Sequence, residues 1–241
     1  GAIFNGWSYR RGAEEYLPLY EAKMLGHFDH RFSTYSGATE AQLRLRTLPR
    51  PSDQEHDDPA FESVAQFWVD RTAISARLGD RWGHGWFLGW RDITKANQMR
   101  TMIPCVFPLS AVGHVFPVTF MSASNHGASA NLHAVWSSMA FDYVARQKLS
   151  GTHMTYSVLK QIACVPPQKF SVSTPWRHST SIHHWLLPYI VELSYTSLRL
   201  APYAQDLGDD GPPFRWDSER RALLRGDLDA GFLHLYGLER D

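Results

Sequence analysis

Residues Asn131 to Pro167, NLHAVWSSMAFDYVARQKLSGTHMTYSVLKQIACVPP, constrain this chain more than any other stretch. Leu132, Val135, Trp136, Met139, Ala140 and Tyr143 recur at spacings of three and four. That is one apolar helix face, long enough to lie across a sheet. Arg146 and Lys148 fall in the last turn, where cations suit the helix dipole. Leu149-Ser150-Gly151 ends the helix, with Gly151 as a left-handed cap. The residues that follow are polar, aromatic and basic: Thr152, His153, Thr155, Tyr156, Lys160 and Gln161. A short apolar run, Ile162 to Val165, closes at Pro166-Pro167. The pattern predicts a buried helix that delivers hydrogen-bonding side chains to one end of a domain. Phosphates and base edges are read by such clusters, although an ordinary solvated helix end has the same composition.

Upstream, Leu17-Pro18-Leu19-Tyr20 reads as an edge strand, because Pro18 cannot donate within a ladder. Phe28 to Tyr35 alternates with a strand period. Residues 36–60, rich in Pro, Asp and Glu, read as a polar loop. Gln66 to Val69 is a strand, and Asp70 caps a short helix with Ile74, Leu78 and Trp82 inward. Trp86 to Ile93 is a strongly apolar strand. Arg100 to Phe107 and His114 to Phe120 give two more, joined by a turn at Pro108 to Gly113. After Pro175 the pattern is helical. Trp185, Leu186, Ile190, Val191, Leu193 and Leu198 mark one helix, with Pro188 near its first turn. Gly208 to Pro213 is a break. Asp217 caps a last helix with the stripe Leu224, Leu228, Phe232 and Leu235, ending at Gly237. The expectation is a mixed α/β protein: a mixed sheet on a long helix over residues 1–170, and a helical extension packed on it over residues 171–241.

At 241 residues and 44% hydrophobic the chain can bury a sizeable core. Lys+Arg and Asp+Glu are both 24, so the formal charge is zero. A nucleic-acid binder acting alone is usually basic, so that role requires the charge to be segregated. The positive residues are mostly arginine, the better side chain for bidentate recognition of phosphate or guanine. Cys105 and Cys164 lack zinc spacing; a single disulfide is possible but nothing suggests one, so a reducing cytoplasm is the default expectation. No stretch reads as a membrane span or a secretion signal. The opening GAIFNGWSYRRGAEEY has no start methionine and no clean cap, so it reads as a cut into a longer protein.

No catalytic set is legible. Gly83-His84-Gly85 precedes a strand rather than following one, so it fails as a cofactor loop for S-adenosylmethionine. Gly211-Pro212-Pro213-Phe214 has glycine where an amino-methyltransferase needs a polar acceptor, and reads as a turn. Val165-Pro166-Pro167-Gln168 lacks both flanking residues. Glu21-Ala22-Lys23 resembles half of a nuclease site but has no upstream Asp to complete a metal cage. His27, Asp29 and His30 are candidate metal ligands, yet alternation sends His30 and Asp29 to opposite faces. His183 and His184 diverge as helical neighbours. A free-standing hydrolase therefore has no site in this sequence.

Five segments in order carry a family resemblance: LPLYEAKMLGHFDHRFSTY, GWFLGWRDITKANQMRTMIPCVFP, FDYVARQKLSGTHMTYSVLKQIACVPP, WLLPYIVELSYT and GPPFRWDSERRALLRGDLDAGFLHLYGLERD. The chain resembles the C-terminal half of adenine-specific DNA methyltransferases of the type IIG restriction–modification class. The large methyltransferases of the BREX and DISARM phage-defence systems share it. That half holds the target-recognition domain. The resemblance implies a module that recognises double-stranded DNA and works with an N-terminal methyltransferase domain. That domain, absent here, would bind S-adenosylmethionine and hold the catalytic Asn-Pro-Pro-aromatic motif. The family's recognition side chains vary with the target, so the candidate DNA contacts are read from the residues themselves: Lys23, Arg31, Arg91, Arg100, Arg146, Lys148, His153, Tyr156, Lys160 and Gln161. Among them Arg146, Lys148 and Lys160 suit phosphates, and His153, Tyr156 and Gln161 suit bases. For each, solvated surface is the plainer role; Arg91 beside Asp92 also reads as a structural ion pair. The rival expectation is a protein-interaction module of a defence complex without DNA contact, for which nine tryptophans suit an interface.

Overall fold

The computed structural model describes residues 1–121 and 126–238. It is a mixed α/β protein. The chain opens with an antiparallel meander, β1 (Ile3–Phe4), β2 (Tyr9–Arg11) and β3 (Glu14–Tyr20). It continues through the short helices α1 (Glu40–Arg44) and α2 (Asp53–Asp57) to β4 (Trp68–Asp70), which pairs with β3. So Pro18 lies in an internal strand, not at an edge. Leu19 donates its amide to the Phe67 carbonyl at 2.8 Å, and Pro18 stands opposite Trp68. Strand alternation then turns the Pro18 nitrogen away from β4. On that other side β2 pairs only as far as Tyr16 and a parallel pairing with Ala111 begins only at Leu19, so Pro18 falls between the two ladders.

The Asp70 side chain accepts from Thr72 N at the start of α3 (Arg71–Leu78), as its sequence position predicts. β5 (Trp86–Trp90) is buried along its whole length, between β6 (Pro104–Pro108) and a later strand. β7 (Ala111–Val112) then joins β3 in parallel, and β8 (Val118–Thr119) closes the far side of β5. The expected strand from Arg100 begins only at Pro104, because residues 94–103 form a loop. The expected strand His114 to Phe120 contracts to β8.

The organising helix is two helices. α4 (His126–Ser137) and α5 (Met139–Lys148) are separated at Ser138, which is extended at φ −71°, ψ 148°. Its hydroxyl donates to the Val135 carbonyl at 2.8 Å and accepts from Phe141 N at 3.2 Å, ending one helix and capping the next. Serine offers the backbone such local alternatives to helical bonding. The break re-aims the second half: Ala140, Phe141 and Ala145 are buried, while Met139 and Tyr143 are 55% and 64% exposed. Gly151 is not a left-handed cap; α5 ends on an extended Leu149.

α6 (Tyr156–Leu159) follows, then the hairpin β9 (Ser173–Thr174) and β10 (Arg177–Ser181). The helices α7 (Ile182–Ser194), α8 (Ala201–Asp206) and α9 (Ser218–Leu235) complete the core. Ser181 caps α7, so Pro188 lies in the helix interior rather than its first turn. α7 packs on α4, and α9 packs on both α5 and α7. Leu224, Leu228 and Phe232 bury their side chains as the stripe predicts. At Gly231 the Trp185 ring lies where a Cβ would sit, 2.3 Å away, so only glycine lets α7 and α9 approach there.

Two sequence expectations fail in residues 28–60. Phe28 to Tyr35 is a series of turns, with Phe28 at φ 57°, not a strand. The alternation reflects a buried turn: Phe28, Asp29, His30 and Arg31 are all buried. The loop expected over residues 36–60 holds α1 and α2, each closed by a capping box, Thr39 with Gln42 and Ser52 with Glu55.

Candidate nucleic-acid interface

The chain after α5 is pinned to the end of β5 by its backbone. Thr94 N donates to the Thr152 carbonyl at 3.0 Å, and Met154 N to the Asp92 carbonyl at 2.8 Å. Ile93 and His153 form an antiparallel bridge. The Trp90 indole donates to the Met154 carbonyl at 2.7 Å. Met154, Leu159, Ile162 and Val165 bury their side chains beneath. Thr155 accepts from Val158 N and caps α6. The segment therefore has a fixed backbone and an apolar underside, and its polar side chains face outward.

Lys148 at the end of α5, and His153, Tyr156, Lys160 and Gln161 in the segment, are all exposed. Tyr156 is 67% exposed, and Lys160 Nζ lies 5.7 Å from its ring centre. Gln161 Nε2 donates to the Ser157 carbonyl at 2.7 Å, which fixes one end of the amide. His153 Nδ1 lies 2.9 Å from Asp92 Oδ2. Arg146 stands at the margin. Its Nε donates to Asp142 Oδ2 at 2.9 Å, and its other nitrogens donate to the Ala96 carbonyl at 3.2 Å and to the Met99 carbonyl. Its guanidinium thus fastens the 94–100 loop to α5 rather than projecting freely.

The other four expected contacts lie elsewhere. Arg31 is 0% exposed. Its guanidinium donates to the carbonyls of Asp58, Phe61, His56 and Thr196 at 2.7–3.1 Å, and is closed to any external ligand. Arg91 makes no ion pair with Asp92; it donates to the Leu25 carbonyl and lies over the Phe32 ring at 5.5 Å. Arg100 donates to the Ser137 carbonyl at 3.0 Å and reaches Asp229 at 3.4 Å. Lys23 pairs with Glu21 at 3.3 Å and lies 4.9 Å from the Tyr35 ring centre. Cations that meet backbone carbonyls inside the molecule are spent on structure.

Sequence reasoning missed two things. Lys95, Asn97 and Gln98 are exposed on the loop that Arg146 ties down, beside the 152–154 segment. They were absorbed into the approach to an expected strand. The second is charge segregation. From Ile93 to Val191 the chain has seven lysines and arginines and one carboxylate, Asp142. Asp142 is buried and accepts from the amides of Thr101 and Met102, both at 2.7 Å, as well as from Arg146. Lys95, Lys148, Lys160, Lys169 and Arg177 are exposed. The zero total hides this, and measuring the gaps between acidic residues would have exposed it.

Among the described residues no cluster of three or more His, Cys, Asp or Glu side chains is placed to hold a metal ion. His30 Nε2 instead meets Ser197 Oγ at 3.0 Å, and Asp29 meets His56 at 3.3 Å. Burial pushes the Asp29 carboxyl up, but the hydrogen bond and charge of His56, with His30 and Arg221, hold it below the ordinary range. Among the described residues no helix is long and apolar enough to cross a membrane. The chain matches no protein-family model, and neither a curated protein nor a solved structure is significantly similar to it.

Proposed function

We propose that this chain recognises double-stranded DNA as the target-recognition module of an adenine-specific DNA methyltransferase, with S-adenosylmethionine bound by a domain outside this sequence. The observation that supports the reading is the pinned 148–161 segment. It presents lysines, an aromatic ring and an amide on a rigid backbone, within a hundred residues whose one carboxylate is buried. Fixed donors of this kind suit phosphate contact and base-edge reading. Lys148 and Lys160 take the phosphate role, and Tyr156 and Gln161 the base-reading role. Arg146 positions the neighbouring loop.

Fluorescence anisotropy with labelled duplexes at several salt concentrations tests this. Lys148→Ala with Lys160→Ala should weaken binding to all sequences alike and lower the slope of log affinity against log salt by about 2. Gln161→Ala should relax preference at one base position by about 1–3 kcal/mol and leave the slope nearly unchanged. An unchanged slope in the double variant overturns the proposal. The rival, a protein-binding face, is favoured by one observation: Met139 and Tyr143 project one turn apart from α5 and are largely exposed.

A further inference from the structure

A cavity of about 430 Å³ opens where the buried turn, the approach to α2 and the start of α9 meet. Four guanidiniums line it: Arg50, Arg100, Arg221 and Arg225. Each is braced by something other than a close counter-ion. Arg221, 6% exposed, donates to the Leu193 carbonyl at 2.9 Å and the Phe28 carbonyl at 2.8 Å. Arg225 Nε donates to the Arg221 carbonyl at 3.2 Å. Arg50 lies on the Phe32 ring at 4.0 Å. Among the described residues only Arg100 of the four reaches a carboxylate, Asp229, and at 3.4 Å. The cavity wall also holds Asp29 and Asp53. Asp29 is committed to the Arg31 amide at 2.9 Å and to His56. Asp53 belongs to the exposed first turn of α2. Cations therefore outnumber the acids that could neutralise them.

Two more polar atoms in the wall have no partner. Trp216 Nε1 and His27 Nε2 are sealed from solvent and make no hydrogen bond among the described residues, a costly arrangement unless a ligand completes it; a third sealed atom, His56 Nε2, has only Asp29 Oδ2 at 3.3 Å. The faces of the Trp216 ring are in use: His56 stacks on it at 4.1 Å, and the Arg221 guanidinium lies 3.8 Å from its centre. What remains is its N–H edge. An aromatic ligand thus has no ring to stack on, whereas an acceptor-rich one has several donors. The electrostatics agree. Burial pushes Arg221 down to about 10, and burial followed by the charge of Arg100 lowers Arg225. Burial, then Arg100, His133, Arg225 and Arg221, hold His27 well below its usual range.

We infer that this cavity binds a phosphate group. Guanidinium forks match phosphate oxygens. Arg50 and the terminal nitrogens of Arg225 make no hydrogen bond among the described residues and can supply them. Arg100 and Arg221, already bonded to carbonyls or Asp229, add positive charge that suits a phosphate dianion better than a carboxylate. The phosphate can come from a small phosphomonoester or from a DNA backbone. The inference stands apart from the DNA-recognition proposal, because none of the 148–161 side chains lines the cavity.

Calorimetry on the full chain with inorganic phosphate and with 5′-dAMP is the test. Both should bind. Arg225→Gln should weaken them about tenfold, the effect of losing one charge-assisted hydrogen bond. Arg50→Gln, at an exposed position, should act in the same direction and covers the case in which Arg225→Gln fails to fold. Lys148→Ala with Lys160→Ala should leave phosphate binding intact, so the two proposals fail separately. If unphosphorylated duplex displaces dAMP, a DNA phosphodiester occupies the site; if it does not, a phosphomonoester does. No heat with either anion, or equal affinity in wild type and both arginine variants, overturns the inference.

Discussion

Arg31 and Lys148 are both cations in segments rich in hydrogen-bonding side chains, and the structure treats them oppositely. Arg31 has four carbonyl acceptors within 3.1 Å and no exposed surface. Lys148 ends a helix and is exposed, and its side chain makes no hydrogen bond or ion pair among the described residues. Residue type cannot separate the two. What separates them is whether the surrounding backbone leaves carbonyls in need of a donor. The carbonyls of His56, Asp58, Phe61 and Thr196 converge inward on the 28–35 turn and need a donor, which Arg31 supplies. A helix C-terminus open to water does not need its lysine. Arg146 stands between, half consumed by Asp142 and two carbonyls.

The sharpest way to break this comparison is Arg31→Met. It should cost about 3–5 kcal/mol in chemical denaturation, because buried carbonyls lose their donor. A cost near that of a surface change would mean water replaces the guanidinium without loss. Asp142→Ala comes next. Two amides and the Arg146 guanidinium lose an acceptor, and stability should fall by about 2–3 kcal/mol. The same variant releases only the Nε of Arg146, which keeps the Ala96 and Met99 carbonyls, so under the DNA-recognition proposal affinity per folded molecule should not fall with it.

The buried region also predicts an acid response. His133 packs on Phe28 with ring centres 4.6 Å apart, and burial pushes its pKa from 6.5 down to about 3. The unfolded chain therefore binds the proton first as pH drops. The stability due to neutral His133 is complete above about pH 6.5 and is lost as pH falls toward 3, at roughly 1 kcal/mol per pH unit. His27 acts with the same sign. Urea midpoints measured from pH 7 to pH 4 should fall, and His133→Phe should flatten that fall; an equal slope in the variant would remove His133 from the account. The smallest effect belongs to the surface. Lys148→Ala with Lys160→Ala should change stability by no more than about 0.5 kcal/mol. A larger loss would show that these lysines are structural after all.

Legibility followed the range of the interaction. The caps at Asp70 and Asp217, the apolar run of β5 and the stripe of α9 depend on neighbours within a few residues, and the sequence displays them. Ser138 was also visible, but whether a serine in a helical pattern caps or merely decorates depends on what the flanking helices pack against. The capping boxes at Thr39 and Ser52 are present in the sequence as motifs, but the loop expected over residues 36–60 rests on their prolines and acids alone. The false strand at Phe28 to Tyr35 came from reading burial as alternation. At the candidate interface, the polar cluster was readable as a cluster. Which of its cations stayed free was not, because the acceptors that consumed Arg31, Arg91 and Arg100 lie 25 to 165, 66 and 37 to 129 residues away.

The cage around Arg31 also sets an order of events during synthesis. Its acceptors come from residues 56, 58 and 61 and from Thr196. Arg221 reaches back to the Phe28 carbonyl, and Leu198 donates to the Pro59 carbonyl. A chain that has emerged only as far as residue 170 still lacks the pieces that close the 28–35 turn. Folding must wait for contacts of very long sequence separation, which slows it and leaves the segment before residue 170 in need of protection.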